Sequence, residues 1–209
     1  MNTTITLVRH GETGWNALGK FQGCSDIELS NEGIYQAENL SKKFNNKFDF
    51  IYSSPLKRAN KTAEIISEGS NKDIGIAEDL REINFGEWEG LTIKEIESNF
   101  PKKVIEWRTD EINGPLCGGD LSLKKASLRA HKAILEIAQR HIGHSIIIVA
   151  HSGIIKAGLI GIFDLKMTMY HKIMLGNTSV SKIIFDEDFN AKIETLNDTS
   201  HLLEGDVIK

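Results

Sequence analysis

Short apolar runs recur along the chain, and each stops abruptly at polar residues. The runs at 5–8, 48–52 and 145–149 are typical of buried strands that end in loops. Two later runs, at 180–185 and 192–196, predict a pair of strands that form a hairpin.

Between these strands, apolar residues recur at helical spacing. A helix is predicted after Ser30, which is placed to cap it, and a second helix follows the second strand with Pro55 in its first turn. Longer helical patterns cover residues 122–141 and 154–163. Each of these helices lies between predicted strands.

The middle of the chain is less regular. Residues 83–90 have no clear period, and two short helices are predicted at 93–100 and 102–107, separated by Pro101. Residues 113–120 contain a proline and three glycines, which indicates a loop. We predict that the segment at about 83–122 forms a cap or a substrate-covering insertion.

The order of the predicted elements decides the fold class. Strands that alternate with helices favour an α/β fold, in which a mostly parallel central sheet is covered on both faces. The prediction is therefore a three-layer α/β/α sandwich. A length of 209 residues suits one domain, spanning 1–209.

Composition excludes several classes of protein. With 25 basic and 29 acidic residues the net charge is -4, so a general nucleic-acid-binding face is not expected. No apolar run approaches the length of about 20 residues that a membrane-spanning helix needs. Cys24 and Cys117 stand outside any CxxC or Cys/His cluster, and residues 1–4 do not resemble a signal peptide. We therefore expect a cytoplasmic protein with no nucleic-acid or membrane partner.

Polar residues of one chemical character follow three of the predicted strands. Arg9 and His10 follow the first, the second leads to Arg58, and His151 follows the third. Ligands of open α/β sheets bind outside the carboxyl ends of the strands, so these side chains are expected to meet at one edge. Guanidinium groups match phosphate oxygens and repel metal cations, so the set predicts a phosphate site without a metal.

A neutral imidazole in such a site is a competent nucleophile toward phosphorus. One ring nitrogen must be free, and a carbonyl of a glycine-rich loop can hold the other. The leaving oxygen also needs a proton from a nearby carboxylic acid. Physical reasoning leaves four candidates open: Glu12, Glu82, Glu87 and Glu89.

Several short motifs, in a fixed order, resemble the histidine phosphatase superfamily, also called phosphoglycerate mutase-like. The matching stretches run from residue 5 to about 155 and form four blocks: 7–13 with Asn16 and Gln22-Gly23; 53–59 with Thr62-Ala63; 80–82 with Gly86 and 88–90; and 149–153. Four ordered blocks are far more specific than a single Arg-His-Gly triplet. The resemblance implies a phosphoglycerate mutase-like fold.

The resemblance also implies roles for individual residues. His10 would be the phosphorylated nucleophile, Arg9, Arg58 and His151 would form the phosphate pocket, and Glu82 would be the general acid and base. All five are predicted catalytic residues, and the last four also bind substrate.

Three further residues are implied to bind substrate: Asn16 as a further contact to the phosphate or the substrate, and Gln22 and Gly23 on a substrate loop. The resemblance implies no metal and no organic cofactor. The expected partner is a small phosphorylated metabolite, and the expected assembly is a monomer or a homodimer.

One loop departs from the family pattern. Members of this length often carry Gly-Glu-Ser where this chain has residues 118–122, Gly-Gly-Asp-Leu-Ser. Either Asp120 takes over part of the role of that glutamate, or the loop serves another purpose.

The leading functional hypothesis is a phosphomonoesterase that works through phospho-His10. Small family members that it resembles include α-ribazole phosphatases and sugar-phosphate phosphatases. The main alternative is a phosphoglycerate mutase dependent on 2,3-bisphosphoglycerate. A more remote alternative is a non-catalytic module that binds phosphorylated ligands.

Overall fold

A computed structural model describes residues 1–202. Its centre is a six-stranded sheet in the order β3-β2-β4-β1-β5-β6. The strands are β1 (Thr3–Arg9), β2 (Phe50–Ser53), β3 (Ile74–Ile76), β4 (Ser145–Ala150), β5 (Val180–Phe185) and β6 (Ala191–Asp198).

Parallel pairing dominates the sheet. The pairs β1–β4, β2–β4 and β2–β3 are parallel, whereas β5 pairs antiparallel with both β1 and β6. The predicted α/β class and the late hairpin are thereby confirmed. Strand β3 was not predicted, because three residues at a sheet edge are too few to give a recognisable pattern.

The α-helices are α1 (Gly14–Ala17), α2 (Asn31–Phe44), α3 (Lys57–Ser67), α4 (Ile93–Asn99), α5 (Pro101–Thr109), α6 (Leu123–Arg140) and α7 (Ser152–Ile162). Ser30 caps α2 as predicted, by accepting a hydrogen bond from the Gly33 N–H. Short 3₁₀ helices span Glu78–Leu80, Gly86–Trp88 and Met167–His171.

Strand β4 shows how the three layers form. Its buried residues alternate, so that Ile146 and Ile148 face one apolar cluster with α6 and α7, while Ile147 and Val149 face another with α2 and α3. A strand buried on both faces reads as a continuous apolar run. The three-layer α/β/α sandwich is confirmed.

The start of α3 differs from the prediction. The helix begins at Lys57 with Leu56 as its N-cap, so Pro55 precedes the helix instead of lying in its first turn. The Asp26 carboxylate accepts the Lys57 N–H at 2.8 Å and supplies the cap that Leu56 lacks. Asp26 lies 31 residues before Lys57, so the sequence pattern around the helix start does not predict this contact. Pro101 was predicted to stand between two short helices, but it is the first residue of α5, where its missing N–H costs no hydrogen bond.

An aromatic cluster joins the irregular middle segment to the rest of the protein. The ring of Phe21 contacts Phe85, Trp88 and Trp107 edge-on, with centroids 5.1–6.4 Å apart. The segment that carries α4 and α5 is thereby fixed beside the chain that follows α1. Within residues 1–202, no helix is long and apolar enough to cross a membrane.

Candidate active site

The carboxyl ends of β1, β2 and β4 lie side by side and bring the predicted residues together. The rings of His10 and His151 are 5.1 Å apart, although 140 positions separate them in sequence. A cavity of about 290 Å³ opens at this edge of the sheet. Among the residues that line it are Arg9, His10, Asn16, Gln22, Gly23, Arg58 and Glu82.

His10 is held in one tautomer. Its Nδ1 lies 2.6 Å from the Gly11 carbonyl oxygen, which can only accept a hydrogen bond. Nδ1 therefore carries the ring proton, and Nε2 keeps a free lone pair. Gly11 itself lies against Gly33 so closely that a Cβ would come within 2.3 Å of the Gly33 carbonyl oxygen. This backbone contact fixes the loop that orients the His10 ring.

His151 has the opposite tautomer. Its Nδ1 accepts a hydrogen bond from Arg58 Nε at 3.1 Å, so the proton lies on Nε2, which donates to Ser54 Oγ at 2.7 Å. The ring is completely buried. Ser54 directly follows β2, and Arg58 lies in the first turn of α3. The His151 imidazole at the end of β4 is therefore hydrogen-bonded to residues that follow the neighbouring strand β2.

Arg58 also supports the substrate loop. Its Nη1 donates to the Ser25 carbonyl oxygen at 2.7 Å, and its Nη2 donates to the Gly23 carbonyl oxygen at 2.8 Å. A guanidinium has five N–H groups, so two remain for a ligand. A single buried side chain thus orders the loop, holds His151 and offers positive charge to the cavity.

Arg9 is less completely satisfied. Its Nη1 donates to the Leu175 carbonyl oxygen at 2.6 Å, but its Nε is buried without a hydrogen-bond partner among residues 1–202. An unpartnered buried donor is costly unless a ligand accepts from it. Burial, opposed by the Glu82 carboxylate, lowers the pKa of Arg9 to about 10, so the guanidinium keeps its charge at neutral pH.

Burial also controls the two histidines. Desolvation, followed by repulsion from Arg58, holds the pKa of His10 and the pKa of His151 well below the ordinary value of 6.5. Both rings are therefore neutral at pH 7. A neutral ring is the form that leaves Nε2 of His10 free to attack.

This depressed pKa predicts a specific titration. In the ligand-free protein, the His10 imidazole is expected to protonate only well below pH 6.5, because the charged ring would lose hydration and face two arginines. A bound phosphate supplies negative charge and should raise the midpoint. Proton NMR of the His10 ring with and without phosphate measures both. A midpoint near 6.5 that phosphate does not move would contradict this assignment.

The four candidate carboxylates separate clearly. Glu82 lines the cavity, whereas Glu12 accepts from Ser30 and Glu87 is exposed beside Cys117. The Glu89 carboxylate accepts hydrogen bonds from the backbone N–H groups of Cys24 and Phe85 and from a serine hydroxyl. Position therefore favours Glu82 for exchange of protons with a ligand.

Three backbone N–H groups fix the Glu82 side chain. Oε1 accepts from Ile83 and Ile154, both at 2.8 Å, and Oε2 accepts from Gly153 at 3.0 Å. Two of these donors belong to the first turn of α7. A Cβ on Gly153 would come within 2.6 Å of Oε1, so this glycine allows the close approach.

The other predicted substrate residues also face the cavity. Asn16 has a structural role as well, because its Oδ1 accepts from the Thr13 N–H and so caps α1. Gln22 is nearly buried, and its Oε1 has no hydrogen-bond partner in the described part of the chain. Gly23 offers its carbonyl to Arg58 and lies so close to Glu89 that a Cβ would clash with that carboxylate.

Comparison with known families agrees with this geometry. The family model described as "Histidine phosphatase superfamily (branch 1)" matches residues 5–199. The chain belongs to this superfamily.

Its relatives include phosphatases and mutase-like proteins. Phosphoglycerate mutase-like protein 4 of Arabidopsis thaliana is 34% identical over 205 residues, which cover 96% of this chain and 87% of that protein. Phosphoserine phosphatase 1 of Hydrogenobacter thermophilus is 31% identical over 201 residues, or 96% of this chain and 94% of that protein.

A solved structure is similar over the same length. A mutant phosphoserine phosphatase from Entamoeba histolytica, in complex with phosphoserine, is 37% identical with a TM-score of 0.90, covering 96% of this chain and 100% of that one. This histidine phosphatase is a phosphomonoester hydrolase, and the non-catalytic module is set aside.

Sequence reasoning missed some residues of the site in this histidine phosphatase. Tyr170 lines the cavity from the 3₁₀ helix after α7, and burial, together with the Glu82 carboxylate, raises its pKa well above 10. Asn177 donates to the His10 carbonyl oxygen at 3.1 Å and to Asn16. Residues 177–180 resemble a further segment of the family pattern, but no role for Asn177 followed from it, and Tyr170 carried no signal in the sequence.

Within residues 1–202, no group of three or more His, Cys, Asp or Glu side chains is arranged to hold a metal ion.

Proposed function

We propose that this histidine phosphatase hydrolyses a small phosphomonoester without a metal, through a phosphoryl group carried by His10. The observation that carries the proposal is the arrangement of His10 itself. Its Nδ1 is occupied by the Gly11 carbonyl, and its free Nε2 belongs to a ring beside Arg9, Arg58 and His151. A fixed nucleophile within a cationic cavity meets the main requirements of phosphoryl transfer.

The first chemical step transfers the phosphoryl group to the enzyme. His10 Nε2 attacks phosphorus, and the bond from phosphorus to the ester oxygen breaks. The leaving oxygen takes the electron pair and receives a proton from the Glu82 carboxylic acid. Arg9 and Arg58 neutralise the charge on the transferring group.

The second step returns the enzyme to its starting state. Water attacks the phosphohistidine and gives its proton to the Glu82 carboxylate. Inorganic phosphate leaves with the oxygen of that water, and His10 is again a neutral imidazole. Both steps balance without an ion or a redox partner, which is why we propose metal independence.

The substrate that we propose first is phosphoserine. Relatives named as phosphoserine phosphatases cover nearly the whole chain. A cavity of about 290 Å³ also suits a small leaving group. α-Ribazole 5'-phosphate and sugar phosphates, which the sequence suggested, stay as the next candidates.

A panel of phosphomonoesters tests this function. Phosphoserine, 3-phosphoglycerate, α-ribazole 5'-phosphate and several sugar phosphates would be incubated with the protein in excess chelator, with His10→Ala as control. We expect phosphate release from phosphoserine that survives chelation and disappears in the variant. Strict dependence on added metal would refute the proposal.

The same panel separates hydrolase from mutase. A mutase converts 3-phosphoglycerate to its 2-isomer when a bisphosphoglycerate primer is present, without net phosphate release. We expect phosphate release to exceed isomerisation. The opposite ratio would establish the mutase alternative.

Two predictions from the sequence extend this proposal. The segment 83–122 would act as a cap, supported by Phe85, which lines the cavity, and by the aromatic contacts of Phe21. A cytoplasmic location, and a monomer or homodimer that acts on a small metabolite, stay predictions.

A further inference from the structure

The loop that departs from the family pattern lies against the segment that carries Glu82. The Asp120 N–H donates to the Asn84 carbonyl oxygen at 3.0 Å, and the Asn84 N–H donates to Asp120 Oδ2 at 2.9 Å. A Cβ on Gly119 would come within 2.1 Å of the same carbonyl oxygen, so the two backbones touch. The loop is therefore docked two residues after Glu82.

Arg129, on α6, holds the other side of the same segment. Its Nη1 donates to the carbonyl oxygens of Asp79, at 2.6 Å, and Arg81, at 3.0 Å. Its Nη2 pairs with Asp120 Oδ2 at 3.0 Å. One guanidinium thus connects the residues before Glu82 to the loop that holds the residues after it.

This ion pair is shielded from solvent. Both side chains are 17% exposed, less than those of any other ion pair within residues 1–202. Exposed pairs contribute little because water and salt screen them. A shielded pair with several hydrogen bonds holds its geometry more firmly.

We propose that Asp120 and Arg129 are positioning residues that set the Glu82 carboxyl group for proton transfer. The inference rests on the proposed function, in which Glu82 protonates the leaving oxygen. Asp120 would thus have a positioning role at the place in this loop where the family pattern carries a glutamate. Leu121, with a φ of 68° and an exposed side chain, occupies the extra position that the altered loop requires.

The geometry explains how the pair would act on Glu82. The Glu82 carboxylate accepts hydrogen bonds from the N–H groups of Ile83, Gly153 and Ile154. Ile83 belongs to the segment from Asp79 to Asn84, which Arg129 and Asp120 hold in place. If that segment shifts, Glu82 moves relative to α7 and to the ligand. A displacement of about 1 Å at a reacting group can cost about 100-fold in rate.

The test uses the dependence on the leaving group. An alkyl oxygen needs a proton to leave, whereas nitrophenolate leaves without one. Variants Asp120→Asn, Arg129→Lys, Glu82→Gln and the double variant Asp120→Asn/Glu82→Gln would be assayed for kcat/KM on phosphoserine, or the best alkyl substrate, and on p-nitrophenyl phosphate. The value of kcat/KM reports the steps up to and including phosphorylation of the enzyme.

A matched control comes from a second ion pair. Lys182 and Glu194 join β5 to β6 at 3.6 Å and lie outside both the segment 83–122 and the segment from Asp79 to Asn84. Glu194→Gln likewise removes a pair of opposite charges, and we expect wild-type activity from it.

For the alkyl substrate, Glu82→Gln should lose about 10²- to 10⁴-fold. Asp120→Asn and Arg129→Lys should each lose about 10- to 100-fold. For p-nitrophenyl phosphate all three should lose less than about threefold, because no proton is needed. The double variant should match Glu82→Gln within about twofold, because coupled residues are not additive.

Several results would overturn the inference. Equal losses on both substrates would mean general damage to the site, and a further loss in the double variant would mean that Asp120 acts independently of Glu82. If Asp120→Asn kept wild-type activity while Glu82→Gln was impaired, the positioning role of Asp120 would be refuted and the proton step at Glu82 would stand. If Glu82→Gln itself kept full activity on the alkyl substrate, the proton step of the proposed function would fail first.

Discussion

Replacing His10 with alanine should reduce kcat on any phosphomonoester by about four to six orders of magnitude, the loss typical of an enzyme that forfeits its covalent nucleophile. Within residues 1–202, His10 is the only histidine that lines the cavity, and both nitrogens of the neighbouring His151 are engaged by Arg58 and Ser54. The loss should be the same for every substrate, because all share the attack on phosphorus.

The fold should survive this change. The described hydrogen bond of the His10 ring runs to the neighbouring Gly11 carbonyl, and the elements around it do not depend on that contact. Binding of inorganic phosphate, measured by calorimetry, should therefore persist, because Arg9 and Arg58 are intact. His144→Ala, at an exposed site before β4, is the control and should keep full activity. Substantial turnover by His10→Ala would exclude His10 as nucleophile.

Arg58→Ala should lose about 10²- to 10³-fold in kcat on every substrate. The reason is that one side chain serves three purposes: it offers charge to the phosphate, orients His151, and holds the loop at Gly23 and Ser25. KM should rise as well, because a loosened loop no longer presents a formed cavity.

Arg58→Lys distinguishes charge from geometry. Lysine keeps the charge but cannot donate to His151, Gly23 and Ser25 together, so this variant should stay at least about tenfold below wild type. Steady-state kinetics and circular dichroism measure activity and folding, with Arg140→Ala, in the exposed last turn of α6, as control. Full recovery by lysine would show that only the charge matters.

The site was largely predictable because its chemistry follows strand ends. Apolar runs that stop at Arg9-His10 and at His151 identify neighbouring strands of a parallel sheet, and parallel strands bring their carboxyl ends together. The carbonyl that holds His10 was foreseen from the glycine beside it. These inferences need only local sequence and the topology of a doubly covered sheet.

The remaining features depend on contacts between distant residues. Whether Glu82 or Glu89 reaches the cavity to exchange protons with a ligand depends on the path of the chain after β3. Strand β3 itself was too short to predict. The pairing of Asp120 with Arg129, and the cap that Asp26 provides for α3, join segments that no periodicity connects. Tyr170 reaches the cavity through a 3₁₀ helix that carries no pattern.

A phosphoryl group carried by His10 is tested most directly by trapping it. Protein mixed with ³²P-labelled substrate in chelator would be quenched in alkali within milliseconds and digested for peptide mapping. We expect an acid-labile, alkali-stable label on the peptide that contains His10, and its absence from His10→Ala. Rapid turnover of substrate with no label on that peptide, or a label on another residue, would contradict it.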